Sequence, residues 1–386
     1  MQLSGKTVLI TGATGFIGGR LAEHLSLSNK NVRVRALIHN PSHASRIARL
    51  PVEMVFGDIT SLNSMRMAVK GCDVVVHCAI GTYEVTVRGT ENIIKEALKH
   101  DIKKFIHISS VAVYGYAPKE NIINEESNYT PHPDDDYCRS KIDSEKIAFY
   151  YYKNHGLPLV ILRPTNIFGP YSKPWTINLI NMLKQGCYVL VDGGNSPSNF
   201  LYVDNVIDAI KLAILNDDVI GEAFIISDNE QITWREVFSA YANMFPEPPK
   251  LLNISSREIK EERVRECQEI FKEVLRDPTK LPLVYQFLAR NSKYIKKLLA
   301  DNSSLRTSLI RFGSDLPDVI KDLYKYKINK PNFPKVPDDN LIKIFTSKAR
   351  FSNKKAESRL GYKPRWSFED GMKLTEKWLK YQRIIP

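Results

Sequence analysis

Short β-branched runs alternate with amphipathic stretches along the first part of the chain. Residues 7–10 are followed by an amphipathic segment at 17–27, residues 32–38 by one at 44–50, and residues 74–78 by one at 90–100, before another apolar run at 105–109. Apolar runs of strand length between segments of helical period mark βαβ units, in which crossover helices bury both faces of a parallel sheet. The pattern predicts an α/β fold built on a doubly wound parallel sheet. Residues 159–163 read as one more strand, after a helix over about 140–154 that Gly156 and Pro158 bring to an end.

Past Pro170 the regularity loosens. The segment from about 250 to 337 is helical in period, rich in lysine and punctuated by Pro278, Pro282, Pro317, Pro331 and Pro334. Within it Ile259, Val264, Cys267, Ile270, Phe271 and Val274 recur at close to helical spacing. At 386 residues the chain exceeds what one small core needs, so a large domain with a satellite, or two domains, is expected.

Composition narrows the class. Hydrophobic residues make up 43% and charged residues 25%, as in soluble globular proteins. The five cysteines, Cys72, Cys78, Cys138, Cys187 and Cys267, show no spacing that suits a disulfide framework or a zinc site, which predicts a cytoplasmic protein without a metal. No secretory leader is visible, nor a run of about 18 apolar residues, so no transmembrane segment is expected. The net charge of +12 reads as a solvated lysine-rich surface, because no nucleic-acid motif accompanies it.

The run Val8-Leu9-Ile10-Thr11-Gly12-Ala13-Thr14-Gly15-Phe16-Ile17-Gly18-Gly19 is a buried strand, a glycine-rich turn and a helix start. Gly12 permits the tight turn, Gly15 lets backbone N–H groups approach a pyrophosphate, and Gly18 lets the helix pack closely on the strand. The helix N-terminus then offers free N–H groups and a positive dipole end to the phosphates. This order predicts a Rossmann-type dinucleotide-binding domain over 1–170, with 200–230 returning to it. A smaller, mainly helical C-terminal substrate part is expected from 171–199 and 231–386, with the helical insertion at about 250–337. Which dinucleotide binds, NADP or NAD, turns on the second strand, where no acid stands at the end to accept from a ribose 2′-hydroxyl. Arg33, Arg35 and His39 share one face there and Arg46 follows, which favours NADP; plain surface arginines are the alternative. Asp58, in Gly57-Asp58-Ile59 after the third strand-like run, is placed to meet the adenine ring.

Tyr137 and Lys141 stand four apart at the start of a predicted helix, hence on one face. A phenol of pKa about 10 is a poor base at neutral pH, and a neighbouring ammonium favours the phenolate. Upstream, Ile106-His107-Ile108-Ser109-Ser110 runs off a strand at the edge where such sheets bind ligands, so that Ser110 can hydrogen-bond a substrate oxygen while Tyr137 exchanges its proton.

These residues resemble the extended short-chain dehydrogenase/reductase family, also called the NAD-dependent epimerase/dehydratase family. The likeness adds Val75-Val76-His77-Cys78-Ala79, Gly89-Thr90-Glu91-Asn92, Val111-Ala112-Val113-Tyr114-Gly115, and Arg163-Pro164-Thr165-Asn166-Ile167-Phe168-Gly169-Pro170. It continues through Tyr202-Val203-Asp204-Asn205-Val206 and Leu360-Gly361-Tyr362-Lys363-Pro364. The resemblance implies catalytic roles for Ser110, Tyr137 and Lys141. It implies cofactor contacts from Gly12, Thr14, Gly15, Phe16, Ile17, Gly18, His39, Asp58, Ile59, Ala79, Ser109, Pro164 and Thr165 together with Tyr137 and Lys141. It also implies a homodimer.

Several departures bear on the substrate. Nucleotide-sugar members usually carry an arginine just before the Tyr-Val-Asp motif, whereas residues 193–200 here contain no cation; Asn166 stands where those members place an asparagine near the phosphates. Thr86 occupies a position where asparagine is common, and Thr233-Trp234-Arg235-Glu236 looks more like the steroid-dehydrogenase and dihydroflavonol-reductase branch. The expected function is therefore an oxidoreductase acting on a secondary alcohol or ketone of a small-molecule metabolite. A nucleotide-sugar epimerase or dehydratase with tightly held NAD is the nearest alternative, and a non-catalytic dinucleotide sensor is a third. For the basic insertion, with Lys293, Lys296, Lys297 and Arg306, a solvated cap stands beside a lid, a partner surface or a peripheral membrane contact.

Overall fold

The β-branched runs become neighbours in one parallel sheet. The computed structural model describes residues 2–28, 31–131, 135–259, 261 and 336–386. Chain order runs β1 (Thr7–Thr11), α1 (Phe16–Ser26), β2 (Arg33–Ile38), β3 (Val52–Phe56), α2 (Leu62–Val69), β4 (Val74–His77), α3 (Tyr83–Lys99), β5 (Lys104–Ile108), β6 (Ile122–Ile123), α4 (Asp136–His155), β7 (Leu159–Pro164) and β8 (Asn166–Phe168). It continues through α5 (Asn178–Lys184), β9 (Tyr188–Val191), β10 (Phe200–Tyr202), α6 (Val203–Leu215), β11 (Glu222–Ile226), α7 (Trp234–Ala242) and β12 (Leu252–Ile254), then α8 (Asp339–Thr346), β13 (Arg350–Phe351) and α9 (Phe368–Tyr381).

The main sheet has the order β11-β7-β5-β4-β1-β2-β3 with every pair parallel. The order reverses between β1 and β4, and the crevice at their carboxyl ends is where such sheets take ligands. Leu9, Val75, Phe105 and Ile161 bury one face of the sheet against Met65, Ile93, Ile94 and Ala148 of α2, α3 and α4. The helices α1 and α6 pack together, and α6 also lies against β5 and β7.

Three elements differ from expectation for local reasons. The stretch at 44–50 forms no α-helix: a short 3-10 turn covers Pro41–Arg46, started by the Asn40 side chain on Ser42 N, and Pro51 bars continuation. The helix α3 starts at Tyr83 rather than near 90, capped by Thr82, and Gly89 lies inside it because a Cβ there would sit 2.4 Å from Ile59 Cδ1. The helix α4 starts at Asp136, since Asp135 caps it by accepting from Cys138 N at 2.7 Å.

Two compact units divide the chain, one of residues 1–181, 195–249 and 339–386 and the other of 182–194 and 250–338. In the first, the C-terminal residues are integral. Asn205 Oδ1 accepts from the N–H groups of Arg365 and Trp366, the Tyr362 hydroxyl donates to Ser227 O, and β13 pairs with β6. Thr233 and Glu236 form a capping box on α7, a structural use for that sequence. In the second unit β9 pairs with β12, and Asp192 accepts from Ser256 N at 2.8 Å. The helical period through Val264, Cys267, Ile270, Phe271 and Val274, and the cations Lys293, Lys296, Lys297 and Arg306, lie outside the described residues.

The Tyr-Val-Asp sequence finds its use in the packing of α6 on α1. Arg20 donates to Asp204 from Nε at 2.6 Å and Nη2 at 2.8 Å, and His24 Nε2 lies 3.1 Å from the same carboxylate. Burial pushes this carboxyl up, but the bonds from Arg20 and His24 outweigh it and bring the pKa from 3.8 to about 2. The contribution, about 2 kcal/mol, is complete above pH ~4 and disappears as the pH falls towards 2. The stability gap between wild type and Asp204→Asn, measured by urea unfolding, should therefore be full at pH 6 and shrink below pH ~4.

Candidate active site

The glycine turn is shaped by contacts that leave no room for side chains. Gly12 has φ +67°, and a Cβ on it would lie 2.8 Å from Ala79 N and from Cys78 C. At Gly18 a Cβ would stand 2.3 Å from Gly12 O. Gly15 is the exposed N-cap of α1; no side chain caps the helix and no acid stands in its first turn. Thr14, Phe16 and Ile17 are half-buried at the same mouth. An uncapped helix start with its positive end open to solvent fits a pyrophosphate. Gly18→Ala should weaken dinucleotide binding about ten-fold or more, read by NADH fluorescence titration, and cost roughly 1–3 kcal/mol of stability, because the turn must shift to admit the methyl.

The ends of β2 and β3 present His39 and Asp58. The carboxylate of Asp58 accepts from Thr60 N and Thr60 Oγ1, both at 2.8 Å, and the Thr60 N–H is the chief reason its pKa is held down. His39 Nδ1 lies 3.8 Å from Asp58. Ile59 is buried under α3, its carbonyl accepting from Asn92 Nδ2 at 3.1 Å. Of the arginines that favour a 2′-phosphate in the sequence, Arg33 and Arg35 are engaged elsewhere, while Arg46 stays at the glycine turn, its Nη1 donating to Phe16 O at 3.3 Å. Arg33 binds Thr7 Oγ1 and Gly5 O at the amino end of β2. Arg35, in mid-strand, pairs with Glu53 and donates to Ala68 O and Lys70 O. Arg46 pairs with Glu23 at 2.7 Å and lies over the Tyr171 ring at 4.1 Å. Period-two alternation reports a shared face, not what already covers it.

Ser110 lies close to Tyr137, and Lys141 follows one turn further along α4. Ser110 begins the turn after β5, its hydroxyl accepting from Ala112 N at 3.1 Å. Tyr137 is 41% exposed. Burial around the hydroxyl raises the phenol above its ordinary value, and the nearby Ser110 hydroxyl opposes this only in part. This reverses the direction expected from the four-residue spacing. Lys141 is buried, and its Nζ donates to Ile108 O at 2.7 Å; burial brings it down to about 8. The ammonium is anchored on the strand rather than on the phenol.

The glycine turn and this face of α4 meet through β4. Gly12 abuts the Cys78–Ala79 backbone, Ala79 N donates to Thr11 Oγ1 at 3.2 Å, and Cys78 is among the groups that act on Lys141. Ser109 is buried, with its N–H on Leu162 O at 2.8 Å; Pro164 ends β7, and Thr165 N donates to Ile226 O at 3.0 Å.

Behind these residues lies a polar chain the motifs do not announce. Thr11 Oγ1 is 2.7 Å from His77 Nδ1, His77 Nε2 is 3.1 Å from Thr90 Oγ1, and Thr90 reaches Ser144 Oγ at 3.3 Å. Burial, reinforced by the Lys141 charge, brings His77 down to about 3, so it works as a neutral hydrogen-bonding ring. His107, its partner across the sheet, stacks on it at 5.6 Å.

On the substrate side, Asn166 Nδ2 donates to Ser198 O at 2.7 Å, which gives that asparagine a structural task. Thr86 is buried, accepting from Gly81 N and closing the turn into α3. A separate cavity of about 440 Å³, lined by Glu125, Tyr129, Phe149, Arg163, Glu222 and Lys355, opens at the amino end of β11, away from the strand ends that form the site. Among the described residues no helix is long and apolar enough to cross a membrane, and no cluster of His, Cys, Asp or Glu could hold a metal ion.

Comparison with known proteins bears on the family and the fold. The model of the NAD dependent epimerase/dehydratase family matches residues 8–227. UDP-glucose 4-epimerase of Vibrio cholerae is 27% identical over 261 residues, 63% of this chain and 77% of that protein. dTDP-D-glucose 4,6-dehydratase of Dictyostelium discoideum is 29% identical over 268 residues, 61% of this chain and 62% of that protein. In fold, the chain matches dTDP-glucose 4,6-dehydratase of Bacillus anthracis in complex with NAD, with a TM-score of 0.66 at 18% identity over 98% of each chain.

Proposed function

The chain belongs to the NAD dependent epimerase/dehydratase family, and from that premise we propose that it oxidises or reduces a secondary alcohol or ketone carbon, with Tyr137 as acid and base. What supports this reading is the placement of Tyr137 close to Ser110, with Lys141 one turn along α4 and its Nζ on Ile108 O, near the Cys78–Ala79 backbone that Gly12 abuts. A bound nicotinamide would supply the hydride donor or acceptor. The chain's residues handle the rest. In the reducing direction Tyr137 gives its proton to the carbonyl oxygen, Ser110 donates a hydrogen bond to that oxygen, and Lys141 places a positive charge where the phenolate forms. Gly12, Gly15 and Gly18 hold the diphosphate, and Asp58, Ile59, Ala79, Pro164 and Thr165 flank the cofactor.

Arg33 and Arg35 are engaged away from the glycine turn and the charge of Arg46, at its edge, is offset by Glu23, so NAD is the cofactor we propose. The cysteine spacing, which suits neither a disulfide framework nor a zinc site, supports a cytoplasmic setting in the same proposal. A homodimer belongs to the same proposal and is read by size-exclusion chromatography with light scattering.

A second reading is favoured by the names of the relatives: the same chemistry on the sugar of a nucleotide sugar, with the cofactor regenerated in each cycle. A thermal-shift screen with NAD, NADP and UDP-, GDP- and dTDP-sugars separates the two. Ligand at about 100 times its Kd stabilises by ~2.7 kcal/mol, so NAD should raise Tm by a few degrees. A further rise with one nucleotide sugar selects the second reading. No shift with either dinucleotide, in protein whose extract after denaturation contains no nucleotide, refutes both.

A further inference from the structure

Tyr137, Lys141 and Glu145 follow at four-residue spacing on α4, so their side chains line one face of the helix. Glu145 is fully buried, as is Arg163 on β7. The guanidinium donates to Glu145 from Nε at 3.0 Å and from Nη2 at 2.6 Å. It also donates to the Tyr114 hydroxyl at 2.6 Å and the Tyr129 hydroxyl at 2.7 Å, and Tyr129 in turn donates to Glu145 Oε2 at 2.5 Å. A carboxylate held by so many donors is fixed in place one turn from the buried lysine.

We infer that Glu145, clamped by Arg163, is a positioning residue for the site: it seats α4 on β7 and sustains the positive charge of Lys141 beside Tyr137. The inference rests on the role proposed above for Lys141. The groups that act on or answer to Lys141 are His77 and Cys78 from β4 and the residue after it, His107 from β5, and Glu145 from α4, which is itself paired with Arg163 of β7. Burial drives the lysine towards its neutral form, opposed by Cys78 and Glu145. Burial also pushes the Cys78 thiol up to about 12 and keeps both histidines neutral, so the thiol carries no charge where Lys141 titrates. Glu145 is then the standing anion among these groups.

The test is a direct titration of Lys141 in protein carrying ¹³Cε-lysine, without cofactor or substrate, with Lys141→Met to assign the signal. In wild type the midpoint should fall near 8. Glu145→Gln, which keeps the shape and loses the charge, should lower it by about one pH unit or more. Tyr129→Phe removes a hydrogen bond from the same cluster without changing its charge; it should lower Tm and leave the midpoint in place. If Glu145→Gln fails to fold, Arg163→Met, which keeps the carboxylate and removes the cation that offsets it, should raise the midpoint instead. An unmoved midpoint in a folded variant that changes the charge of this pair overturns the inference. Because no turnover enters the measurement, its failure is distinct from a failure of the proposed reaction.

Discussion

Replacing Arg163 by leucine is expected to destabilise the protein by about 3–5 kcal/mol, measured by urea unfolding, because it leaves the fully buried Glu145 carboxylate without its partner. Two tyrosine hydroxyls lose a donor at the same time. The double replacement of Arg163 and Glu145 by leucine should recover most of the loss, since neither charge then remains to be desolvated. A purely additive result would show that the two residues act separately, against the geometry of the bidentate contact.

Tyr137→Phe is expected to lower turnover by roughly 10²–10⁴-fold while NADH affinity, read by fluorescence titration, stays within about two-fold. The phenylalanine ring fills the same space on α4, so only the hydroxyl is removed. Retained turnover would place the acid and base elsewhere. Loss of NADH affinity together with turnover would instead assign the tyrosine to cofactor binding.

The sheet and the glycine turn were legible because their signals are local. A run such as Val74-Val75-Val76 can satisfy its apolar side chains only when covered on both faces, and Gly12 and Gly18 occupy positions where backbone approaches within a Cβ's reach. The same locality explains what was illegible. In the sequence Glu145 is one more acid four residues from a lysine, indistinguishable from a solvated helix pair; only Arg163, Tyr114 and Tyr129 arriving from other elements bury it. The direction of the Tyr137 shift likewise depends on what packs around the phenol. Arg35 looks free until α2 brings its last carbonyls above it.

The return of residues 339–386 to the first unit has a consequence for how the protein is made. With β6 awaiting β13, Asn205 awaiting Trp366 and Ser227 awaiting Tyr362, a ribosome must deliver residues 350–366 before these partners meet, although the seven strands of the main sheet are all present by Ile226. Contacts separated by more than a hundred positions form slowly, so the emerging polypeptide keeps sticky surface uncovered throughout synthesis. Chaperone dependence in the cell and poor recovery after dilution from denaturant are what such wiring entails.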